Sequence, residues 1–132
     1  MSNKVEIIEE LIGKTFSDVK QVSLDGDAYS DAYGDQLHFV GAKSYQFYHT
    51  QDCCEHVRIE EIVGNLSDLI GPPITQAEAV SERHADHKYD TSETWTFYKF
   101  ATMKGSVTVR WLGESNGYYS EEVYFKELKE NR

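Results

Sequence analysis

The sequence lacks any long apolar run, and this absence excludes one class of protein. Within its 132 residues, no stretch approaches the roughly 18 to 20 consecutive apolar residues that a membrane-spanning helix needs. The first residues are acidic and amphipathic and contain no apolar segment typical of a signal peptide. We therefore expect a protein that does not enter a membrane and that resides in the cytoplasm.

Basic residues are also scarce. The chain has 13 Lys and Arg against 23 Asp and Glu, for a net charge of −10. Non-specific binding of DNA or RNA requires a basic face that neutralises phosphates, so we expect none. A small anion can still bind where a few basic groups converge in one pocket. The acidic residues are dispersed along the chain, which argues against a mimic of nucleic acid.

The short motifs of common catalytic sites are absent as well. The sequence contains no phosphate-binding GxxxxGK[ST], no GxGxxG and no GxSxG. Carboxylate pairs are so frequent in this acidic chain that they single out no catalytic pair. We therefore expect no enzymatic activity, no cofactor and no bound metal.

Only two cysteines are present, and they are adjacent, Cys53 and Cys54. A disulfide between neighbours is strained and rare, so we expect reduced thiols in the cytoplasm. With His49 and His56 close in sequence, the segment could bind a soft metal or form a Cys–His nucleophile pair. The spacing favours a structural role: two small buried side chains at a strand-to-helix corner, with Asp52 capping the following turn.

The pattern of apolar residues predicts one domain, residues 1–132, of the α+β class. We expect a predominantly antiparallel sheet of about five to six strands, with a short N-terminal helix and a short middle helix. The middle helix is predicted at 66–70, capped by Asn65 and ended by Gly71-Pro72-Pro73. The N-terminal helix would have one apolar face and flanking end signals: Val5, Ile8, Leu11 and Ile12 on the face, Ser2 or Asn3 as N-cap, and Gly13 at its end.

Alternating polarity predicts the strands. They are expected at 16–24, at 37–48 with a bend near Gly41, at 74–80, at 93–103, at 106–112 and at 118–125. Residues 57–59 are either extended or the entry to a helix, and 25–35 form a loop. The polar stretch 81–92, with His84 and His87, is expected to be a mobile loop, either simply solvated or acting as a clamp over a ligand or a neighbouring subunit.

The richest aromatic segment lies between Trp95 and Tyr124 and includes both tryptophans. Turn signals at Lys104-Gly105 and Asn116-Gly117 divide it into three short strands, and Asn-Gly between strands is a strong hairpin signal. Alternation assigns one side to the core, namely Trp95, Phe97, Val107, Val109 and Trp111.

The opposite side of this segment supplies the candidate site. Arg110 is expected near Tyr98 or Phe100, where its guanidinium could bind a phosphate beside a stacked base. Amide and hydroxyl groups of the second turn could read ribose and base edges. The alternative is that Arg110 pairs with a carboxylate and Tyr98 packs on the N-terminal helix. The candidate ligand-binding residues are Arg110, Tyr98, Asn116, Tyr118, Tyr119 and Arg58.

Two blocks carry a resemblance to a known group of proteins: YHTQDCCEHVRIEEIVGNLSDLIGPPI and WTFYKFATMKGSVTVRWLGESNGYYSEEV. Together they resemble small proteins of tailed phages and prophages, and they are similar to the phage Thoeris anti-defence proteins of the first type. The resemblance implies a sponge that holds the cyclic ADP-ribose isomer made by bacterial TIR enzymes without degrading it. It also implies dimers or higher assemblies, with ligand between protomers, in the host cytoplasm. None of that family's binding residues is assigned to this sequence.

Two functions follow as expectations. The first is an anti-defence protein that sequesters a small anionic nucleotide, the cyclic ADP-ribose isomer, as a homo-oligomer. The second is an acidic protein-interaction module that inhibits a host protein.

Overall fold

Two four-stranded antiparallel sheets make up the fold. The computed structural model describes residues 7–26 and 33–128. The first sheet has the order β1-β2-β3-β8 and the second has the order β4-β7-β6-β5. The strands are β1 Asp18–Asp25, β2 Tyr33–Val40, β3 Ser44–Tyr48, β4 His56–Val63, β5 Gln76–Asp86, β6 Thr91–Thr102, β7 Gly105–Ser115 and β8 Tyr124–Leu128. The predicted antiparallel, sheet-rich architecture is confirmed, with more strands than expected because 37–48 divides in two and 56–63 forms a strand.

Aromatic rings from both sheets meet in a single core. Phe39 and Phe47 project from β2 and β3, and Tyr98 and Phe100 project from β6. The ring centroids of Phe39 and Phe100 lie 5.0 Å apart, and those of Phe47 and Tyr98 lie 4.7 Å apart. Such tilted ring pairs add about 0.5–1.5 kcal/mol each beyond the area they bury. The two sheets therefore pack face to face through their aromatic inner sides.

The two short helices are single 3-10 turns. The first spans Ile8–Leu11 and buries Leu11; the expected residues Val5, Ser2 and Asn3 lie outside the described residues. The second spans Leu66–Leu69, and the side chain of Asn65 accepts a hydrogen bond from the Ser67 backbone N–H, as the capping signal predicted. No helix among the described residues has the length and apolar character needed to cross a membrane.

The β6–β7 hairpin turns at Lys104-Gly105 as predicted, and the predicted core residues of β7 are buried, namely Val107, Val109 and Trp111. The inner face of β6 differs from the prediction. Phe100 pairs with Val107, and Tyr98 pairs with Val109. Tyr98 and Phe100 are therefore core residues, while Trp95 and Phe97 lie on the outer face of the second sheet. The prediction was wrong because both parities of this strand carry aromatics, and only the cross-strand register distinguishes them.

The polar stretch 81–92 is not a loop, contrary to the prediction. β5 and β6 pair without interruption from Gln76↔Ala101 to Asp86↔Thr91, so only residues 87–90 form a turn. Strands are held together by backbone hydrogen bonds, which do not require apolar side chains. A polar, solvent-exposed segment such as β5 can therefore form a strand. This hairpin extends the second sheet.

The predicted strand at 118–125 is also wrong, as is the hairpin at Asn116-Gly117. The chain after β7 crosses to the first sheet, where β8 pairs with β3 from Tyr48↔Tyr124 to Ser44↔Leu128. Side chains hold the start of this crossing, because Asn116 Oδ1 accepts from the Tyr118 N–H and Ser115 Oγ accepts from the Gly117 N–H. Local hydrogen bonds of this kind compete with strand pairing.

Truncation of Phe100 should test the aromatic core. Phe100 is fully buried, so Phe100→Ala should reduce the free energy of unfolding by about 3–5 kcal/mol. The substitution removes the contacts of the Phe100 ring with both sheets and leaves a cavity in their place. Urea unfolding followed by tryptophan fluorescence measures the change. Met103→Ala is the matched control on the same hairpin, since Met103 is 85% exposed, and it should change stability by less than about 0.5 kcal/mol. Equal effects of the two substitutions would contradict the assigned core.

Candidate functional site

A cavity of about 760 Å³ lies where the second sheet continues beyond the aromatic core. Its volume falls within the range of about 300–1,000 Å³ that is common for small-molecule sites. We call it the tyrosine cavity. Its lining comes from the inner faces of β5 and β6 and from the crossing segment: Ala79, Ser81, Arg83, Thr94, Thr96, Tyr98 and residues 118–124.

Three of the six predicted site residues meet in the tyrosine cavity, namely Tyr98, Tyr118 and Tyr119. Tyr98 lies at its inner end and is only 6% exposed, whereas Tyr118 is 88% exposed at the opening. Burial, and next the nearby charge of Glu122, raise the pKa of the Tyr98 hydroxyl, so this group remains a neutral donor. The cavity thus combines aromatic rings with hydroxyl groups.

A buried carboxylate holds the crossing segment in place. Glu121 Oε1 accepts hydrogen bonds from the hydroxyls of Thr94 at 2.7 Å and Ser92 at 3.2 Å, and Oε2 accepts one from Ser115. A Cβ at Gly113 would lie 2.7 Å from the Cβ of Glu121, so only glycine permits this close approach. The wall of the cavity is therefore fixed to β6 and β7 by polar contacts.

Arg83 supplies the cationic group of the tyrosine cavity. Its Nε donates to Ser92 Oγ at 3.2 Å, and it forms no ion pair with any described residue. Sequence reasoning missed Arg83 because it assigned residues 81–92 to a loop. The usable signal was the alternation of small residues with Arg83 in 77–85, which is typical of one strand face.

Arg110 lies on the opposite face of the second sheet from the tyrosine cavity. It pairs in register with Phe97, and its guanidinium carbon is 5.1 Å from the ring centroid of Trp95 and 5.5 Å from that of Phe97. It also forms an ion pair with Glu61. The expected position beside Tyr98 or Phe100 is wrong, although the expected combination of arginine with aromatic rings is present.

The remaining two candidates, Arg58 and Asn116, lie apart from the tyrosine cavity. Arg58 projects from β4 and binds Glu114 at 2.7 Å and Glu60 at 2.8 Å. The hydrogen bond that Arg58 donates to the Glu114 carboxylate is the main cause that raises the pKa of Arg58. Asn116 is exposed and uses its side-chain oxygen within its own turn. The six candidates therefore divide among four locations.

A second cavity, of about 440 Å³, contains the cysteine-bearing segment. At its base the buried side chains of His49 and Glu55 form an ion pair, with Nε2 and Oε2 2.8 Å apart. The His49 Nδ1 lies 2.7 Å from the backbone oxygen of Glu122. Both ring nitrogens therefore face oxygen atoms of neighbouring groups, which hold the ring in one orientation.

Glu55 also organises the turn that precedes β4. Its carboxylate accepts the backbone N–H groups of Asp52 and Cys53 at 2.8 and 2.9 Å. Burial by itself raises the pKa of Glu55, but the hydrogen bonds from Cys53, His49 and Asp52 outweigh it and lower the pKa to about 2. The carboxylate that caps this turn is therefore Glu55, not Asp52 as expected.

The cysteines themselves differ from the prediction in three ways. Cys53 and Cys54 are joined by a disulfide, both are exposed, and the segment after them is the strand β4 instead of a helix. Their neighbour His56 contacts Arg58 and is separated from the buried His49. Within residues 7–26 and 33–128, no three His, Cys, Asp or Glu side chains form a cluster suited to a metal ion.

Comparison with known proteins gives one match. A family model described as a domain of unknown function, DUF7448, matches residues 9–125. The matched region begins in the first 3-10 helix and ends in β8, so it includes both sheets. No curated protein and no solved structure matches the chain.

The His49–Glu55 pair predicts a specific response to acid. The folded-state pKa of Glu55 is about 2, below its ordinary value of 4.5. Between pH 2 and pH 4.5 the unfolded chain therefore binds more protons at Glu55 than the folded chain does. The stabilisation from Glu55, about 3 kcal/mol, should be complete above pH 4.5 and should disappear as the pH falls toward 2. Urea unfolding of wild type and Glu55→Gln at several pH values measures it.

Two comparisons make this test specific. Glu55→Gln should lower stability near neutral pH by about 3–5 kcal/mol, because it leaves His49 without its buried partner, and the difference should shrink in acid. Glu60→Gln removes an exposed surface carboxylate and should change stability by less than about 1 kcal/mol at any pH. A difference between wild type and Glu55→Gln that stays constant from pH 7 to 2 would refute the assignment.

Proposed function

The chain belongs to the DUF7448 family, and we propose that it is a binding protein that sequesters a small nucleotide-type ligand in the tyrosine cavity without chemical turnover. The observation that carries the proposal is the convergence of Arg83 with Tyr98, Tyr118 and Tyr119 on one cavity of about 760 Å³. Rings, hydroxyls and a cation are the groups that recognise a base, a sugar and a phosphate.

The anionic part of the ligand binds at Arg83. Its Nε is oriented by Ser92, which leaves the two terminal nitrogens of the guanidinium for a forked contact with phosphate oxygens. Ser92 also donates to Glu121, so the arginine belongs to the same polar network as the cavity wall. A pre-oriented guanidinium loses less entropy on binding than a mobile one.

The ring-bearing part of the ligand binds among the tyrosines. Stacking of a base on an aromatic side chain contributes about 1–3 kcal/mol per base. Hydroxyls of Ser81, Thr94 and Thr96 along the floor, and the exposed carboxylate of Glu122 at the rim, suit sugar hydroxyls and an exocyclic amine. This mixture of one cation with many hydrogen-bonding groups favours a nucleotide over a purely anionic or purely apolar ligand.

Among nucleotides, we propose a cyclic ADP-ribose isomer, as the resemblance to the phage anti-defence sponges implies. Depletion of a signalling molecule requires tight binding, near −12 kcal/mol for a nanomolar dissociation constant, and requires no catalysis. In this proposal the protein acts in the cytoplasm of an infected cell as a homo-oligomer.

The test compares two arginines of the second sheet that lie on opposite faces. Calorimetric titration with cyclic ADP-ribose isomers, with linear ADP-ribose as reference, should show binding by the wild type. Arg83→Ala should weaken it by about 30-fold or more, because a charge-assisted contact of about 2 kcal/mol or more is lost. Arg110→Ala should leave the affinity within about twofold. Both variants should keep the wild-type circular dichroism spectrum.

Different results of this experiment would disprove the proposed site and the proposed function. Loss of binding in Arg110→Ala with retention in Arg83→Ala would place the ligand on the outer face and disprove the tyrosine cavity as its site. No binding of any cyclic nucleotide by the wild type would disprove the proposed function. Mass spectrometry of the ligand released by heating checks that it is recovered intact, as sequestration requires.

A further inference from the structure

β5 is a long edge strand without lysine, proline or a bulge. It is the last strand in the order β4-β7-β6-β5, so no described strand pairs with its outer side. Exposed edges are normally protected by short length, by charged side chains and above all lysine, by proline, or by a bulge. β5 has 11 residues and contains neither lysine nor proline, and its pairing with β6 continues through all of them without a register shift.

The other three sheet edges differ from β5 in this respect. β4 contains a bulge between Ile59 and Glu61. β8 has five residues and includes Lys126, and β1 carries Lys20. Each of these strands has a feature that disfavours the addition of another strand. The long regular edge is therefore specific to β5.

The described residues cover only the start of β5. The first 3-10 helix packs against β5, and Ile12 forms a parallel bridge with Ile74 just before the strand begins. From Glu78 to Asp86 every residue is exposed, and Val80 is 53% exposed in spite of its apolar side chain. This free part is long enough to pair with a second strand of average length.

The side chains of β5 specify the chemistry of a partner. Glu78, Val80 and Glu82 alternate along the outer face, while the cavity-side face carries the small residues Ala79 and Ser81. A strand beside them would match acidic and apolar neighbours on the outer face with basic and apolar residues. Cross-strand pairs of opposite charge contribute about 0.2–1 kcal/mol each.

We propose that the free edge of β5 binds an extended basic segment of a partner protein by strand addition. Glu78, Glu82 and Asp86 give the outer face of this edge a negative charge. Pairing with β5 of a second copy would bring these carboxylates together, so a basic segment is the better occupant of this edge. Main-chain hydrogen bonds supply the affinity, and the alternating side chains of the outer face supply the selectivity. This interaction uses the backbone edge of β5 and does not depend on ligand in the tyrosine cavity.

The test uses a synthetic probe on the intact protein. The probe is a capped peptide of about nine alternating valine and lysine residues, with a fluorescent label. Fluorescence anisotropy should show saturable binding, and hydrogen exchange should show new protection of amides within Val80–Asp86. The control peptide has the same residues but is N-methylated at four central positions, which blocks both of its edges, and it should bind about tenfold more weakly or worse.

Charge reversal on the protein provides the second comparison. Glu82→Lys on β5 should weaken binding of the probe about fivefold or more, whereas Glu60→Lys on the bulged strand β4 should change it less than twofold. Equal binding of the N-methylated peptide would overturn the proposal, as would protection confined to β1, β4 or β8. Concentration-dependent dimerisation that protects the β5 amides without peptide would also overturn it, by identifying a second copy as the occupant.

Discussion

The contact between Phe47 of the first sheet and the Tyr98–Phe100 pair of the second is the interaction on which the rest of the structure depends. The ring of Phe47 lies 4.7 Å from that of Tyr98 and 5.6 Å from that of Phe100. These contacts determine which side chains of β6 face the core. Because side chains alternate along a strand, the same contacts determine which face each other side chain of the second sheet occupies. Arg83 and Thr94 then face inward, while Trp95 and Arg110 face outward.

The tyrosine cavity results from a mismatch between the two sheets. The second sheet extends beyond the aromatic core through the β5–β6 hairpin, and the crossing segment 116–123 covers its inner face there. Glu121 holds that segment by hydrogen bonds from Ser92, Thr94 and Ser115. A buried carboxylate with these partners stabilises a specific wall geometry, and a rigid wall reduces the entropy that ligand binding costs. Core packing and the candidate site are thus linked through β6.

A considerable part of the fold follows from local sequence patterns. The Lys104-Gly105 hairpin and the Asn65 cap each depend on residues close in sequence, so their signals survive without tertiary information. The candidate tyrosines were also found from the aromatic segment. Arg83 was not, because the residues that alternate with it in 77–85 are small and give a weaker strand signal than large apolar residues do.

The sequence by itself determined that this is an acidic, sheet-rich chain whose aromatic residues are concentrated in one segment, Trp95 to Tyr124. Only the tertiary structure decided which aromatic residues enter the core. Trp95 and Phe97 lie on one face of β6 and Tyr98 and Phe100 on the other, so the sequence pattern allows either face to be buried. The tertiary structure also decided that Asn116-Gly117 begins a crossing instead of a hairpin, since the buried Glu121 anchors the chain to β6 and β7 across the sheet. Local patterns encode backbone preference, whereas the choice of face and partner depends on contacts between residues that are far apart in sequence.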